Sequence, residues 1–146
     1  MDSIYHFQVL EFCSGGSLLD FLNKRDPNVL NEGELRGVLK GLCNALAYLK
    51  HQSVVHRDIS PSNILLTADY RPKLSNFFSA TRMPHNSLVS GLYGDQEYMS
   101  PEMVRNLPYD CSTDIWSLGC VAVTCVTGAP PIMVRRILIL FPPILL

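Results

Sequence analysis

The feature that most constrains this chain is "VVHRDISPSNILL", residues 54–66, in which a charged loop is held between two apolar runs. Val54 and Val55 on one side, and Ile64, Leu65 and Leu66 on the other, have the length and branching of short buried strands. Between them lie His56, Arg57, Asp58 and Asn63. An Asp and an Asn five positions apart on one loop can converge on the same space. The Asp can accept a proton from an attacking hydroxyl, and the Asn oxygen can ligate a hard cation such as Mg²⁺. Alone, a His-Arg-Asp triplet also reads as a surface salt-bridge loop, so its neighbours must decide.

A helix leads into the loop. In "NEGELRGVLKGLCNALAYLKHQ" (31–52), Leu35, Val38, Leu39, Leu42, Leu46 and Leu49 recur at three- and four-residue steps, which predicts one apolar helix face. Asn31 with Glu34 three residues later forms a capping-box pattern at its start. Earlier, "FQVLEF" (7–12) reads as a short buried strand ended by "SGG", and "SLLDFLNK" (17–24) as a short helix with Ser17 as N-cap. "SVVH" (53–56), "NILLT" (63–67) and "KLSNF" (73–77) are all of strand length. Residues 79–96 show no period and read as a long surface loop, a kind often functional in compact domains. "DIWSLGCVAVTCVTG" (114–128) is nearly apolar all round and is expected as a buried central helix.

Composition closes off other classes. The chain has 146 residues, enough for one domain, and a formal net charge of −1, which gives no case for nucleic-acid binding. Its five cysteines are odd in number, scattered and without a CxxC pair, which argues against a disulfide framework or zinc site and favours a reducing, cytoplasmic setting. "MDSIYHFQ" has neither basic n-region nor apolar run, so no signal peptide is expected. The end, "PPIMVRRILILFPPILL", is strongly apolar, but its uninterrupted run 137–141 is far shorter than the roughly 20 residues of a membrane span. Residues 132–146 are therefore expected to be an apolar irregular tail, with an interfacial anchor as the other reading.

Four segments stand in order: "LEFCSGGSL" (10–18), the 54–66 loop, "YMSPE" (98–102) and "DIWSLG" (114–119). On these residues the chain resembles the eukaryotic protein kinases, over about residues 5–131. The resemblance implies a truncated α+β protein-kinase-like fold: the hinge and first half of a mainly α-helical C-lobe with small β-ribbons, in residues 1–131. The N-lobe is mostly absent from that expectation, because neither a glycine-rich loop nor a strand lysine with its partner Glu stands in the sequence. The implied activity is phosphoryl transfer from ATP to protein Ser/Thr with Mg²⁺, acting on protein substrates or paired with a kinase partner. By the same resemblance Asp58 is the catalytic base, Asn63 a metal ligand, and Arg57 the receiver of an activation-loop phosphate. Leu10 takes the gatekeeper position, Glu11 to Cys13 the hinge, and Leu65 the place beneath the adenine. His56, Phe77 and Glu102 belong to the structural motifs, and Asp114 would anchor the loop backbone by hydrogen bonds. "SNILLTADYRPKLSNFFSATRMPH" and "TDIWSLGCVAVTCVTGAPP" are similar to the polo-like kinases, nearest the SAK branch (polo-like kinase four), which adds a centrosomal or centriolar address to the cytoplasmic one. Ser60 stands where most Ser/Thr kinases carry a catalytic-loop Lys, and that branch also places a hydroxyl residue there.

The departures from the family pattern lie where chemistry would occur. "SNFFSA" occupies the Asp-Phe-Gly position, so Asn76 replaces the Asp that bridges Mg²⁺ to phosphates. An amide oxygen can coordinate magnesium but brings no charge, and at about 1.4 kcal/mol per decade the loss of one charged ligand corresponds to several decades in rate. Phe78 replaces a mobile Gly, Gly91 stands where a phosphorylatable Thr would, and Asp95-Gln96 replace Thr-Pro; Ser87 and Ser90 remain as substitute phosphosites. The expectation is therefore a kinase-like chain with little or no activity and with ATP and Mg²⁺ binding in question. A non-catalytic interaction module, using a partly exposed apolar face of 114–126, and a fragment without stable fold are the other readings.

Overall fold

The computed structural model describes residues 7–84 and 87–132. Helix α1, Leu18–Asn23, starts where Ser17 and Asp20 close a capping box: the Ser17 hydroxyl accepts from the Asp20 N–H (3.0 Å) and the Asp20 carboxylate takes the Ser17 N–H (3.2 Å). Helix α2, Glu32–His51, opens with the same device on Asn31 and Glu34. Glu32 and Glu34 lie in its first turn and Lys50 and His51 in its last, so both ends complement the helix dipole. Val38, Leu42, Leu46 and Leu49 are buried and Leu35 and Leu39 pack partly buried beside them, as the periodicity requires.

Two small antiparallel sheets accompany the helices. Strands β1 (Gly16–Ser17), β3 (Ile64–Leu66) and β4 (Pro72–Leu74) form one in the order β1-β3-β4, with Gly16 opposite Leu66 and Ile64 opposite Leu74. Strands β2 (Val54–Val55) and β5 (Thr81–Arg82) form the other. Helix α3, Pro101–Val104, is one turn capped by the Ser100 hydroxyl. Helix α4, Ser112–Thr127, ends at Gly128 in the left-handed conformation (φ +76°), a conformation costly for any residue with a Cβ. It packs against α2, and Leu118, Cys120, Val121 and Cys125 join Leu42 and Leu46 in the main core.

Four expectations need correction. Residues 7–12 do not form a strand, and Phe7, Val9, Leu10 and Phe12 are exposed; with no partner strand among the described residues, their apolar pattern has no sheet to bury against. The 79–96 stretch is not all loop, because it contributes β5 and a bridge from Val89 to Tyr109. The run 73–77 stops as a strand at Leu74, where the Ser75 N–H turns to the Asn63 carbonyl (2.9 Å) and Asn76 adopts φ +59°. Helix α4 is buried on one face only: Ile115, Trp116, Val123 and Val126 remain exposed. The tail from 133 onward lies outside the described residues.

Candidate functional site: the 56–63 loop and its surroundings

The site is organised from α4. Asp114, in the first turn of that helix and buried, accepts the backbone N–H groups of His56 (2.8 Å) and Arg57 (2.9 Å) across 58 and 57 positions of sequence. Burial pushes its carboxyl group upward in pKa, against the two N–H bonds that favour the anion. The pair of bonds holds Arg57 at φ +69°, a conformation non-glycine residues seldom adopt without such support. His56, fully buried, accepts the Asp58 N–H at Nδ1 (3.3 Å) and donates from Nε2 to the Ser75 carbonyl (3.0 Å). Burial lowers its pKa, which suits a neutral ring with one donor and one acceptor. Phe77 packs edge-on against it, ring centres 4.7 Å apart.

Three side chains then converge. Asn63 donates from Nδ2 to the Asp58 carbonyl (2.9 Å), and its Oδ1 accepts from Asn76 Nδ2 (3.0 Å). The same Asn76 nitrogen lies 3.4 Å from Asp58 Oδ2. Turning the Asn76 amide over would set its oxygen against two acceptors, so the network itself fixes the nitrogen inward. The second Asp58 oxygen accepts the Asp95 backbone N–H (3.2 Å). As oriented, the set holds itself together: an N–H₂ group of Asn76 faces the one carboxylate, where a hard cation would take the oxygens of Asp58, Asn63 and Asn76. No cluster of three or more His, Cys, Asp or Glu side chains suited to a metal occurs among the described residues.

Beside this centre a cavity of about 670 Å³ is bordered by Leu10, Glu11, Cys13, Leu65, Asn76 and Phe77. Its size lies within the range of small-molecule sites. Glu11 pairs with Lys73 at 3.0 Å on its border.

Residues 2–138 match the protein kinase domain family. The chain belongs to the protein kinases. It is 38% identical over 131 residues to the mouse inactive serine/threonine-protein kinase PLK5, covering 89% of this chain and 22% of that protein. It is 40% identical over 124 residues to rat serine/threonine-protein kinase PAK 5 (84% of this chain, 17% of that protein). It is 33% identical over 131 residues to the serine/threonine-protein kinase PLK4 of Drosophila grimshawi (89% and 17%). The chain thus spans about a fifth of the length of these curated relatives. The Ser/Thr type and a polo-like resemblance accord with these matches, which reach the PAK kinases as well.

Of the residues that the resemblance assigns to base, metal and hinge, Asp58, Asn63 and Asn76 form one hydrogen-bonded set, and Leu10, Glu11, Cys13 and Leu65 line the adjoining cavity together with Asn76. Ser60 is buried with its hydroxyl engaged by Ser62 Oγ (2.8 Å). Glu102 sits half-buried in the first turn of α3. Arg57 donates from Nε to the Ser79 carbonyl (2.5 Å) and stacks on Tyr93, its guanidinium carbon 3.7 Å from the ring centre. Phe78, expected to resist a glycine-like pivot, lies in the tight turn Phe77–Ser79, and Asn76 carries the positive φ instead. Sequence reasoning missed Tyr93 and Gly94 of the activation segment. The one available signal was Gly94 next to an acidic residue, which marks a close backbone approach without saying to what.

Proposed function

We propose that this chain is a kinase-fold module that no longer transfers phosphate: a partial Ser/Thr kinase domain over residues 1–131 whose parent activity, ATP- and Mg²⁺-dependent phosphorylation of protein Ser/Thr, has been lost at the metal corner. The observation that carries this reading is the Asn76 amide nitrogen set between Asn63 Oδ1 and Asp58 Oδ2 (3.0 and 3.4 Å). Where catalysis would need a charged ligand gathering a cation against the phosphates, this corner offers a donor that satisfies its neighbours by itself. Asp58 as base, Asn63 as ligand and Leu10, Glu11, Cys13 and Leu65 as nucleotide contacts are the parent roles, and the cavity beside them, about 670 Å³, is of a size that supports a small-molecule contact there. An in-vitro assay with ATP and Mg²⁺ tests this against an Asp58→Ala control. Equal background in both is expected, and turnover above the control would overturn it.

A second component of the reading is what such a module is for. The exposed apolar side of α4, with Ile115, Trp116, Val123 and Val126, favours an interaction role with a protein partner, a kinase or a kinase substrate, in the cytoplasm or at the centrosome of the polo-like resemblance. A cooperative thermal transition that ATP and Mg²⁺ leave in place is the expected signature. No cooperative transition at all would leave only an unstable fragment. No helix among the described residues is long and apolar enough to cross a membrane.

A further inference from the structure

In the kinase pattern Arg57 is the seat for a phosphate on the activation segment. Here the seat is filled from within the chain. The Arg57 guanidinium lies over the Tyr93 ring at 3.7 Å, and its Nε is spent on the Ser79 carbonyl. Tyr93 runs directly into Gly94, which holds φ +87°. A Cβ on Gly94 would stand 2.5 Å from the Arg57 carbonyl oxygen and 2.7 Å from Asp58 Oδ1, so no other residue lets the segment come so near. The next residue, Asp95, gives its N–H to Asp58 Oδ1 (3.2 Å), and its own carboxylate accepts from the Glu97 N–H (3.1 Å) to start the turn Gln96–Tyr98. On the other side the Tyr109 hydroxyl holds the Gly91 carbonyl (2.9 Å), and Val89 pairs with Tyr109. Between Arg57, Asp58, Asp95 and Tyr98 the remaining space is too small for a water molecule.

We infer that Tyr93 is the resident occupant of the Arg57 seat and that residues 91–95 are latched onto Asp58 by this ring–guanidinium contact, with no phosphate required. Gly91, at the position of the usual phosphorylatable Thr, then has no phosphate to supply because none is needed to order the segment. Ser87, a candidate substitute phosphosite, has its hydroxyl bonded locally to the Pro84 carbonyl (2.8 Å). One Asp58 oxygen accepts the Asp95 N–H of the latch and the other faces Asn76 Nδ2, so the segment and the 56–63 loop share that carboxylate. This latch stands apart from the loss of phosphoryl transfer, since a chain with its metal ligand restored would still carry it.

Amide hydrogen exchange on the full chain tests the latch, comparing wild type with Tyr93→Phe, Tyr93→Ala and Tyr93→Leu. Exchange at residues 94–98 is expected to rise roughly three- to tenfold in the Ala and Leu variants and to stay near wild type in Phe, which keeps the ring. Protection of α2 should be unchanged throughout. If Ala and Leu leave residues 94–98 as protected as before, or if Phe loosens them as much as Ala, the latch is overturned. Should the Ala variant lose α2 protection and so its fold, the Leu variant decides, since it keeps apolar bulk without a π face. Phosphotransfer is not the readout, so this experiment and the turnover assay can fail independently.

Discussion

Replacing a carboxylate by an amide at position 76 alters what the loop can hold, because the inward atom changes from an acceptor to a donor. Asn76→Asp should therefore lower the thermal midpoint in EDTA, where a new anion faces Asp58 and the Asn63 oxygen, and regain it in millimolar Mg²⁺. The wild-type midpoint should not respond to Mg²⁺, and a wild-type response as large as the variant's would contradict the donor-set argument. Asp114 bears on stability in a different way. Asp114→Ala orphans two backbone N–H groups in a buried setting, for an expected loss of about 3 kcal/mol in urea unfolding. His56 supplies a pH dependence. Burial sets its folded pKa below the ordinary 6.5, while Asp114 and Asp58 pull upward by less. The unfolded chain then takes up the proton first, so this contribution is complete above about pH 6.5 and is lost as pH falls toward the depressed folded value. Urea midpoints at about pH 7.5 and about pH 5.5 should differ in that direction, and the His56→Gln variant should show a flatter dependence.

Helix α2 carries two glycines that separate propensity from packing. A Cβ on Gly37 meets nothing within 4 Å, so Gly37→Ala should stabilise by roughly 0.5–1 kcal/mol. A Cβ on Gly41 would lie 2.4 Å from Pro72 Cγ, where α2 meets β4, so Gly41→Ala should destabilise despite the same gain in propensity. Opposite signs in denaturant midpoints check both at once. Elements with local signals were the ones legible in the sequence: α1 declares itself by its Ser17 N-cap, and α2 by its capping box and its period. Strand β5 was not legible, because Thr81 and Arg82 have no pattern until Val54 and Val55 pair with them. The segment 7–12 was misread for the reverse reason: its apolar residues show a wish for burial, and burial depends on neighbours that a local pattern does not name. At the site, the types and positions of Asp58, Asn63 and Asn76 were readable, whereas the inward nitrogen of Asn76 and the Asp95 N–H on Asp58 are orientations set by packing.

As a whole, the described chain has two buried clusters, the larger between α1, α2, β3 and α4, the smaller around Val55, Met99, Met103 and Tyr109. The exposed apolar side of α4 is where the proposed interaction role can be tested in solution. Val126, on that side and 49% exposed, makes a clean test: Val126→Lys should reduce concentration-dependent association in light scattering and leave the unfolding midpoint within about 0.5 kcal/mol of wild type. If association persists unchanged, that side is not the sticky one. The reach of Asp114 across 57 and 58 positions has a consequence for the order in which the molecule is made. As the chain emerges from the ribosome, α1 and α2 can settle from their own sequence, but the loop at 56–58 has nothing to hold its strained turn until residue 114 has been synthesised and α4 has docked. A nascent chain halted short of α4 would carry every residue of the loop and none of its shape.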